Sequence, residues 1–76
     1  MKEILEAIIK SLVENENEVV VTEKNENEQI VLEVKVSPND MGRVIGKQGR
    51  MAKSIRTVIK AIAVSKNKKV NIEFID

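Results

Sequence analysis

The chain has 76 residues, a formal net charge of +1, and neither cysteine nor histidine. A chain of this length forms one domain, which we expect to span residues 1–76. The two absent residue types exclude disulfides, Cys/His metal sites, thiol nucleophiles and imidazole bases. No apolar run approaches the ~20 residues of a membrane span, and the first residues do not resemble a secretion signal. We therefore expect a cytoplasmic protein without a membrane partner.

The charged residues are distributed unevenly along the chain. Residues 1–40 contain ten acidic and four basic side chains, whereas residues 41–72 contain nine basic and no acidic ones. The net charges of these two segments are −6 and +9, and residues 73–76 add −2. One end of the folded protein is therefore expected to present a positive surface, which favours nucleic acid as its partner.

The first part of the chain predicts a helix followed by a β-hairpin. Apolar residues recur at helical spacing from residue 2 to about residue 14. Residues 19–22 are mostly β-branched and predict a strand, and residues 29–36 alternate between apolar and polar side chains, as in a strand with one buried face. Residues 25–27 predict the turn between the two strands.

A short helix is predicted over residues 38–45. Pro38 suits its first position, and the Ser37 hydroxyl is expected to cap it by accepting a hydrogen bond from an early backbone N–H. Gly46 is expected to end the helix as a C-terminal cap.

A longer helix over residues 50–65, a basic loop and a last strand complete the chain. The predicted order is α-β-β-α-α-β, which is an α+β fold. We expect a three-stranded mixed sheet with three helices packed on one face. The hairpin strands should pair antiparallel, and the last strand should return by a crossover to lie parallel to residues 29–36.

The three glycines of the chain, Gly42, Gly46 and Gly49, all fall within eight residues. Glycine is needed where the backbone takes a positive φ or where another backbone approaches closely. The last two form a G-x-x-G turn, with Lys47 and Gln48 in its middle. Basic residues begin the helix that follows, although the positive end of a helix favours acidic ones. A ligand phosphate would supply the missing negative charge, so the pattern predicts a phosphate-binding turn. The alternative is that the long basic side chains only extend into water, at modest cost.

This turn resembles that of the KH domain of RNA-binding proteins, whose motif reads roughly (V/I)-I-G-x-x-G-x-x-I-x-x-I. Ala52 departs from the motif, because most KH domains have a larger aliphatic residue there. The string G-R-V-I-G-K-Q-G-R, followed by A-K and I-R, further resembles the KhpA family of small bacterial single-KH proteins, and the element order is that of a type II KH domain. The motif residues that match are Val44, Ile45, Gly46, Gly49 and Ile55.

The resemblance implies single-stranded RNA as the ligand. In KH domains the G-x-x-G turn clamps the backbone of about four nucleotides, with basic side chains on the phosphates and an apolar floor beneath the bases. That floor would be formed by Val44, Ile45 and Ile55, which also suit the core and are expected to pack inward at least in part. The residues expected to contact RNA are Gly42, Arg43, Val44, Ile45, Gly46, Lys47, Gln48, Gly49, Arg50, Lys53 and Ile55.

The resemblance also implies a role as an RNA chaperone in post-transcriptional regulation. In this role the protein would act with a second KH protein, KhpB (Jag), and would be linked to cell elongation and envelope homeostasis. No enzyme is predicted, and no cofactor, metal or small-molecule substrate, because no nucleophile–base pair or metal cluster is visible. Two alternatives stay open: a helix-turn-helix-like DNA binder that reads duplex DNA with residues 50–65, and a protein-interaction adaptor on a KH fold.

The apolar arc of the helix over residues 50–65 is wider than one sheet face requires. It spans about 140° at 100° per residue, whereas a helix covering one face needs about 100°. Ile55 lies in the middle of the arc and is expected to face the core. We expect the edge formed by Met51, Val58 and Ile62 to stay uncovered and to form a dimer interface, with a second copy or with a KhpB-like KH protein. The alternative is that the first helix covers this edge.

Overall fold

The computed structural model describes residues 1–75. Within this range, three helices and three strands follow one another in the order predicted from the sequence. Short 3-10 turns lie at Glu16–Glu18 and Lys47–Gly49. The helices and strands are α1 (Lys2–Leu12), β1 (Val20–Glu26), β2 (Gln29–Lys35), α2 (Pro38–Ile45), α3 (Arg50–Ser65) and β3 (Lys69–Ile75).

The three strands form one mixed sheet in the order β1-β2-β3, so β2 is central and β3 lies at an edge. β1 and β2 are antiparallel and β2 and β3 are parallel, both as predicted. Val21 lies opposite Val34, and Leu32 lies opposite Ile72. Because side chains alternate along a strand, these four residues share one face of the sheet.

All three helices pack their apolar sides onto this face. Leu5 and Ile9 of α1, Val44 of α2 and Ile59 of α3 are fully buried in the same core cluster as the strand residues. α1 packs mainly against β1 and α2, whereas α3 packs mainly against β3 and α2. The α+β fold with three helices on one face of a mixed sheet is therefore confirmed. Among residues 1–75, no helix has the length and apolar character needed to cross a bilayer.

The hairpin turn is tighter than the sequence suggested. The prediction at residues 25–27 is wrong, because β1 continues to Glu26, which pairs with Gln29. The chain reverses at Asn27 and Glu28, which have positive φ angles of 48° and 65°. Two successive residues with positive φ are typical of a type I′ turn, whose twist matches that of the strands it joins. Glutamate is not a residue type that this turn favours, so the sequence around Glu28 did not predict a turn at this position.

A buried carboxylate joins the end of α1 to the start of α2. Asp40 is 1% exposed and accepts hydrogen bonds from the backbone N–H groups of Glu14 (3.1 Å) and Asn15 (3.0 Å), from the Asn15 side-chain amide (3.0 Å) and from the Ser37 hydroxyl (3.0 Å). α1 ends at Leu12, earlier than predicted, because the N–H groups that follow bind Asp40 instead. The prediction that Ser37 caps α2 through a backbone N–H is wrong, since its hydroxyl is engaged with Asp40.

These donors lower the pKa of Asp40 from 3.8 to about 2, with the backbone N–H of Glu14 as the largest cause and burial opposing the shift. The native state therefore holds this carboxylate in its charged form more tightly than the unfolded chain does. Asp40 contributes stability above about pH 4, and that contribution is lost as the pH falls towards 2.

We expect Asp40→Asn to lower the urea midpoint at pH 7, because an amide cannot accept all the hydrogen bonds that the carboxylate accepts. At about pH 3 the difference between parent and variant should shrink, since the Asp40 carboxyl of the unfolded parent chain is then mostly protonated and must lose that proton on folding. Urea denaturation followed by circular dichroism measures both effects. Glu14→Gln is the matched control, because it removes the ion pair with Arg43 and keeps the backbone donor. A variant as stable as the parent at pH 7 would contradict this role.

Candidate nucleic-acid interface

The turn between α2 and α3 adopts a backbone conformation that few residue types tolerate. Gly46, Gln48 and Gly49 all have positive φ angles, of 73°, 55° and 74°. Lys47–Gly49 forms one 3-10 turn, and the Gly49 N–H lies 3.4 Å from the Gly46 carbonyl oxygen. The predicted C-terminal cap at Gly46 is confirmed, since its N–H donates to the Gly42 carbonyl at 2.9 Å.

The two glycines of the turn are required for different reasons. Gly46 combines φ 73° with ψ −178°, a region essentially restricted to glycine. A Cβ there would lie 2.7 Å from the Cβ of Met51, because the first turn of α3 packs back against Gly46. A Cβ on Gly49 would meet no atom within 4 Å, so only its backbone conformation demands glycine. The open space around Gly49 leaves room for a ligand.

α3 begins without an acidic side chain at its N-terminus. Gly49 is its N-cap, no side chain accepts a hydrogen bond there, and the first turn has no acidic residue. The first N–H groups of a helix carry partial positive charge and have no acceptor within the helix. Four predicted contact residues, Lys47, Gln48, Arg50 and Lys53, are exposed around this end. The Arg50 N–H donates to the Lys47 carbonyl. The partial positive charge of this helix end and the basic side chains around it are suited to a phosphate.

Two further residues that are expected to contact RNA, Arg43 and Gly42, lie on α2. Arg43 is ion-paired with Glu14, and its Nε lies 3.8 Å from a carboxylate oxygen of Asp40. Its guanidinium therefore reaches towards the start of α2. Gly42 is exposed within α2, and a Cβ there would meet nothing within 4 Å. Glycine inside a helix costs about 0.5–1 kcal/mol relative to alanine, and since no packing requires it here, its presence favours close approach of a ligand.

Two of the three residues of the expected apolar floor are buried. Val44 is 0% exposed and Ile55 is 4% exposed, and both belong to the core cluster. They support the turn from beneath, in agreement with the inward packing expected of them, and contact of either residue with bases stays a prediction. Ile45 is partly exposed and is the one member of the expected floor that a ligand can reach.

Arg56, which the site predicted from the sequence did not include, bridges α3 and the edge strand β3. Its Nε donates to the Ile72 carbonyl at 3.3 Å, and its guanidinium carbon lies 5.1 Å from the centroid of the Phe74 ring. This cation–π contact and hydrogen bond hold a positive charge beside the edge of the sheet. A signal was present in the sequence, because Arg56 follows Lys53 by three residues and so lies on a neighbouring part of the helix surface.

The apolar arc of α3 is divided between the core and the surface. One edge is buried and consists of Ala52, Ile59 and Ala63. On the other edge Met51 is 38% exposed, Val58 is 49% exposed and Ile62 is partly exposed. α1 does not provide the main cover for this edge, because it packs against β1 and α2.

The comparisons of this chain with known proteins agree on one family. Residues 2–74 match the family described as KhpA/KhpB, KH domain. The chain is 60% identical over 75 residues to a Clostridium perfringens protein named RNA-binding protein KhpA, which covers 99% of this chain and 100% of the relative. A Clostridium acetobutylicum protein of the same name has the same identity and coverage. A third protein of that name, from Listeria monocytogenes, is 42% identical over 76 residues and covers both chains completely. No solved structure matches the chain with significance.

We expect Gly46→Ala to destabilise the fold more than Gly49→Ala. The first substitution combines a disfavoured backbone conformation with a close contact to Met51 and should cost about 2–3 kcal/mol, whereas the second should cost about 1–2 kcal/mol for the left-handed conformation alone. Urea denaturation of the two variants side by side measures the difference. Equal losses of stability would show that contact with Met51 is not what demands glycine at position 46.

Proposed function

The chain belongs to the KhpA/KhpB family of KH domains, and we propose that it binds single-stranded RNA through the turn formed by residues 46–49. The observation that carries this proposal is the uncapped N-terminus of α3 beside an exposed basic turn. The names of the relatives support the same class of ligand. A cytoplasmic location is part of the proposal, because RNA is the ligand.

In the proposed complex the RNA backbone lies across Gly46 and Gly49. A phosphate accepts hydrogen bonds from the N–H groups at the start of α3, while Lys47 and Arg50 neutralise its charge. Lys53 lies one turn further along α3 and is suited to the next phosphate. Contacts of this kind set the path of the strand and carry no sequence information.

Contacts to bases are fewer. Phe74 is the only aromatic residue of the chain, and the Arg56 guanidinium lies over its ring. Ile45 offers a small apolar surface next to the turn. With about four nucleotides in the clamp and little aromatic stacking, we expect modest affinity and weak sequence preference.

We further propose that the protein acts as an RNA chaperone together with a second KH protein of the KhpB (Jag) type. This finer role, with its link to post-transcriptional regulation, cell elongation and envelope homeostasis, is supported by family membership. Binding through the phosphate backbone suits such a role, because that backbone is common to all RNA sequences.

The exposed edge of α3 formed by Met51, Val58 and Ile62 is proposed as the dimer interface, with a second copy or with a KhpB-type protein. Apolar area removed from water contributes roughly 25 cal/mol per Å², so covering this edge is favourable. At 100° per residue the edge lies on the opposite side of α3 from Lys53 and Lys60. Dimerisation would therefore leave the basic side of the helix free for RNA.

The parent protein is expected to bind single-stranded RNA with a log–log salt slope of roughly −2 to −3, corresponding to roughly three or four phosphate contacts. Lys47→Asp combined with Gln48→Asp should abolish binding, because two carboxylates at the clamp repel phosphate. Aspartate is among the residues that tolerate a positive φ, so Gln48→Asp should leave the fold intact. Fluorescence anisotropy measures binding, and circular dichroism checks the fold.

The control is Lys24→Asp combined with Asn25→Asp, which makes the same change in net charge at exposed positions of β1, on the other edge of the sheet. This variant should bind RNA nearly as well as the parent. Unchanged binding by the turn variant would rule out the clamp. A preference of the parent for duplex DNA of matched length would favour a helix-turn-helix-like DNA binder instead.

Light scattering at micromolar concentration should give a dimer for the parent and a folded monomer for Val58→Asp, because an interface does not accommodate an unpaired carboxylate. Thr57→Asp is the control, since it adds the same charge at the adjacent exposed position outside the apolar edge. A monomeric parent would end the dimer proposal. Loss of the fold in Val58→Asp would instead assign Val58 to the core.

A further inference from the structure

Arg43 differs from the other basic residues of the second half of the chain, because its charge is already paired within the protein. The segment 41–72 contains nine basic residues. Within residues 1–75, Arg43 is the one among these nine that takes part in an ion pair. Its Nη2 donates a hydrogen bond to the carboxylate of Glu14. The phosphate contacts proposed for Lys47, Arg50 and Lys53 leave Arg43 without a role.

The carboxylate of Glu14 is held beside Arg43 by the backbone. The Glu14 N–H donates to Asp40 at 3.1 Å, and Asp40 precedes Arg43 by three residues on α2. The buried carboxylate of Asp40 therefore fixes the backbone of Glu14 relative to the helix that carries Arg43. Only the two side chains must be ordered when the pair forms, so its cost in conformational entropy is low.

Glu14, and not Asp40, is the main partner of the guanidinium. Asp40 already accepts four hydrogen bonds from other groups. The Arg43 Nε lies 3.8 Å from an Asp40 carboxylate oxygen, which is too far for a hydrogen bond. The hydrogen bond to Glu14 is therefore what directs the Arg43 side chain towards the start of α2.

Arg43 lies between two positions that an anion can occupy. Residues three apart are neighbours on a helix surface, and Asp40 precedes Arg43 by three residues whereas Gly46 follows it by three. A side chain at position 43 can therefore reach Glu14 on one side or a phosphate against Gly46 on the other. These anions lie in opposite directions, so the guanidinium binds one of them at a time.

The ion pair is accessible from solvent and easily exchanged. The side chains of Arg43 and Glu14 are 55% and 68% exposed. Exposed ion pairs contribute little to stability, because water and salt compete with both partners. A phosphate can therefore take the place of the Glu14 carboxylate without disturbing the fold.

We propose that Glu14 is an internal competitor of RNA for Arg43. When RNA binds, Arg43 leaves the carboxylate of Glu14 and pairs with a phosphate at the glycine turn. This inference rests on the proposed RNA binding at the turn. Because one anion replaces another, Arg43 adds less to the affinity than an unpaired arginine would, and Glu14 thereby lowers the affinity of the protein for RNA.

The test is a double-mutant cycle with Glu14→Gln, Arg43→Gln and the two combined, measured with a single-stranded RNA of about twelve nucleotides. Both side chains are exposed, so the variants should fold. At low salt, Glu14→Gln should bind RNA roughly twofold to fivefold more tightly than the parent, the range that corresponds to an exposed ion pair. In the Arg43→Gln background the same substitution should give almost no gain. Fluorescence anisotropy measures the four affinities.

The matched control is Glu16→Gln, which removes the same charge at an exposed position two residues further along the chain. Glu16 takes part in no ion pair in the part of the chain that the structure describes. The gain from Glu16→Gln should be clearly smaller than that from Glu14→Gln, because it reports only the general effect of one negative charge on a polyanion.

NMR of the arginine side chains follows the exchange without relying on a variant. The Nε–H signal of Arg43 should shift when RNA is added to the parent protein. Without RNA, Glu14→Gln should also shift this signal, since the guanidinium then loses its carboxylate partner.

The inference is overturned if Glu14→Gln gains no more than Glu16→Gln, or if its gain persists in the Arg43→Gln background. Weaker binding by Glu14→Gln would also overturn it, because Glu14 would then position Arg43 for RNA instead of competing with it. An Arg43 signal that does not respond to RNA in a binding-competent parent would show that the ion pair persists in the complex. Each of these results leaves the function of the turn intact, whereas a folded parent that binds no RNA would overturn both.

Discussion

The close approach between Gly46 and the first turn of α3 is the constraint on which the candidate surface depends. Because Gly46 has no Cβ and adopts a conformation restricted to glycine, Met51 can pack directly against it. α3 therefore begins immediately after the turn, and its N-terminus, which no side chain caps, lies beside Lys47 and Gln48. A larger residue at position 46 would force the two helices apart and separate the backbone donors from the basic side chains.

The other end of α2 is fixed by Asp40. Its hydrogen bonds with Glu14 and Asn15 join segments that are about 25 residues apart in the chain, and the nearby Ser37 hydroxyl donates to the same carboxylate. With Asp40 at one end and Gly46 at the other, α2 has little freedom to rotate, and Val44 stays in the core. Thus a polar network supports the position of a turn that it does not touch.

The three sides of α3 lie in different surroundings. Its inner side packs on the sheet, one flank carries exposed apolar residues, and the opposite flank carries basic residues, among them Lys53 and Lys60. Small domains bury a limited fraction of their surface, so one long helix must provide both core and contact area. Because the two flanks do not overlap, binding of RNA and association with another protein would not exclude each other.

Local periodicity in the sequence was sufficient to predict the order of the elements, the bounds of α2 and α3, the mixed sheet and the glycine turn. These features depend on neighbouring residues, on the periods of helix and strand, and on the right-handed crossover that a returning strand requires. Tertiary structure decided the rest. The partners of Asp40, the depth of Val44 and Ile55, and the contact of Arg56 with Ile72 all depend on how distant segments are superimposed. A pattern of apolar residues shows which side of a helix is inward, but how deeply each residue is buried is decided only by the elements that pack over it.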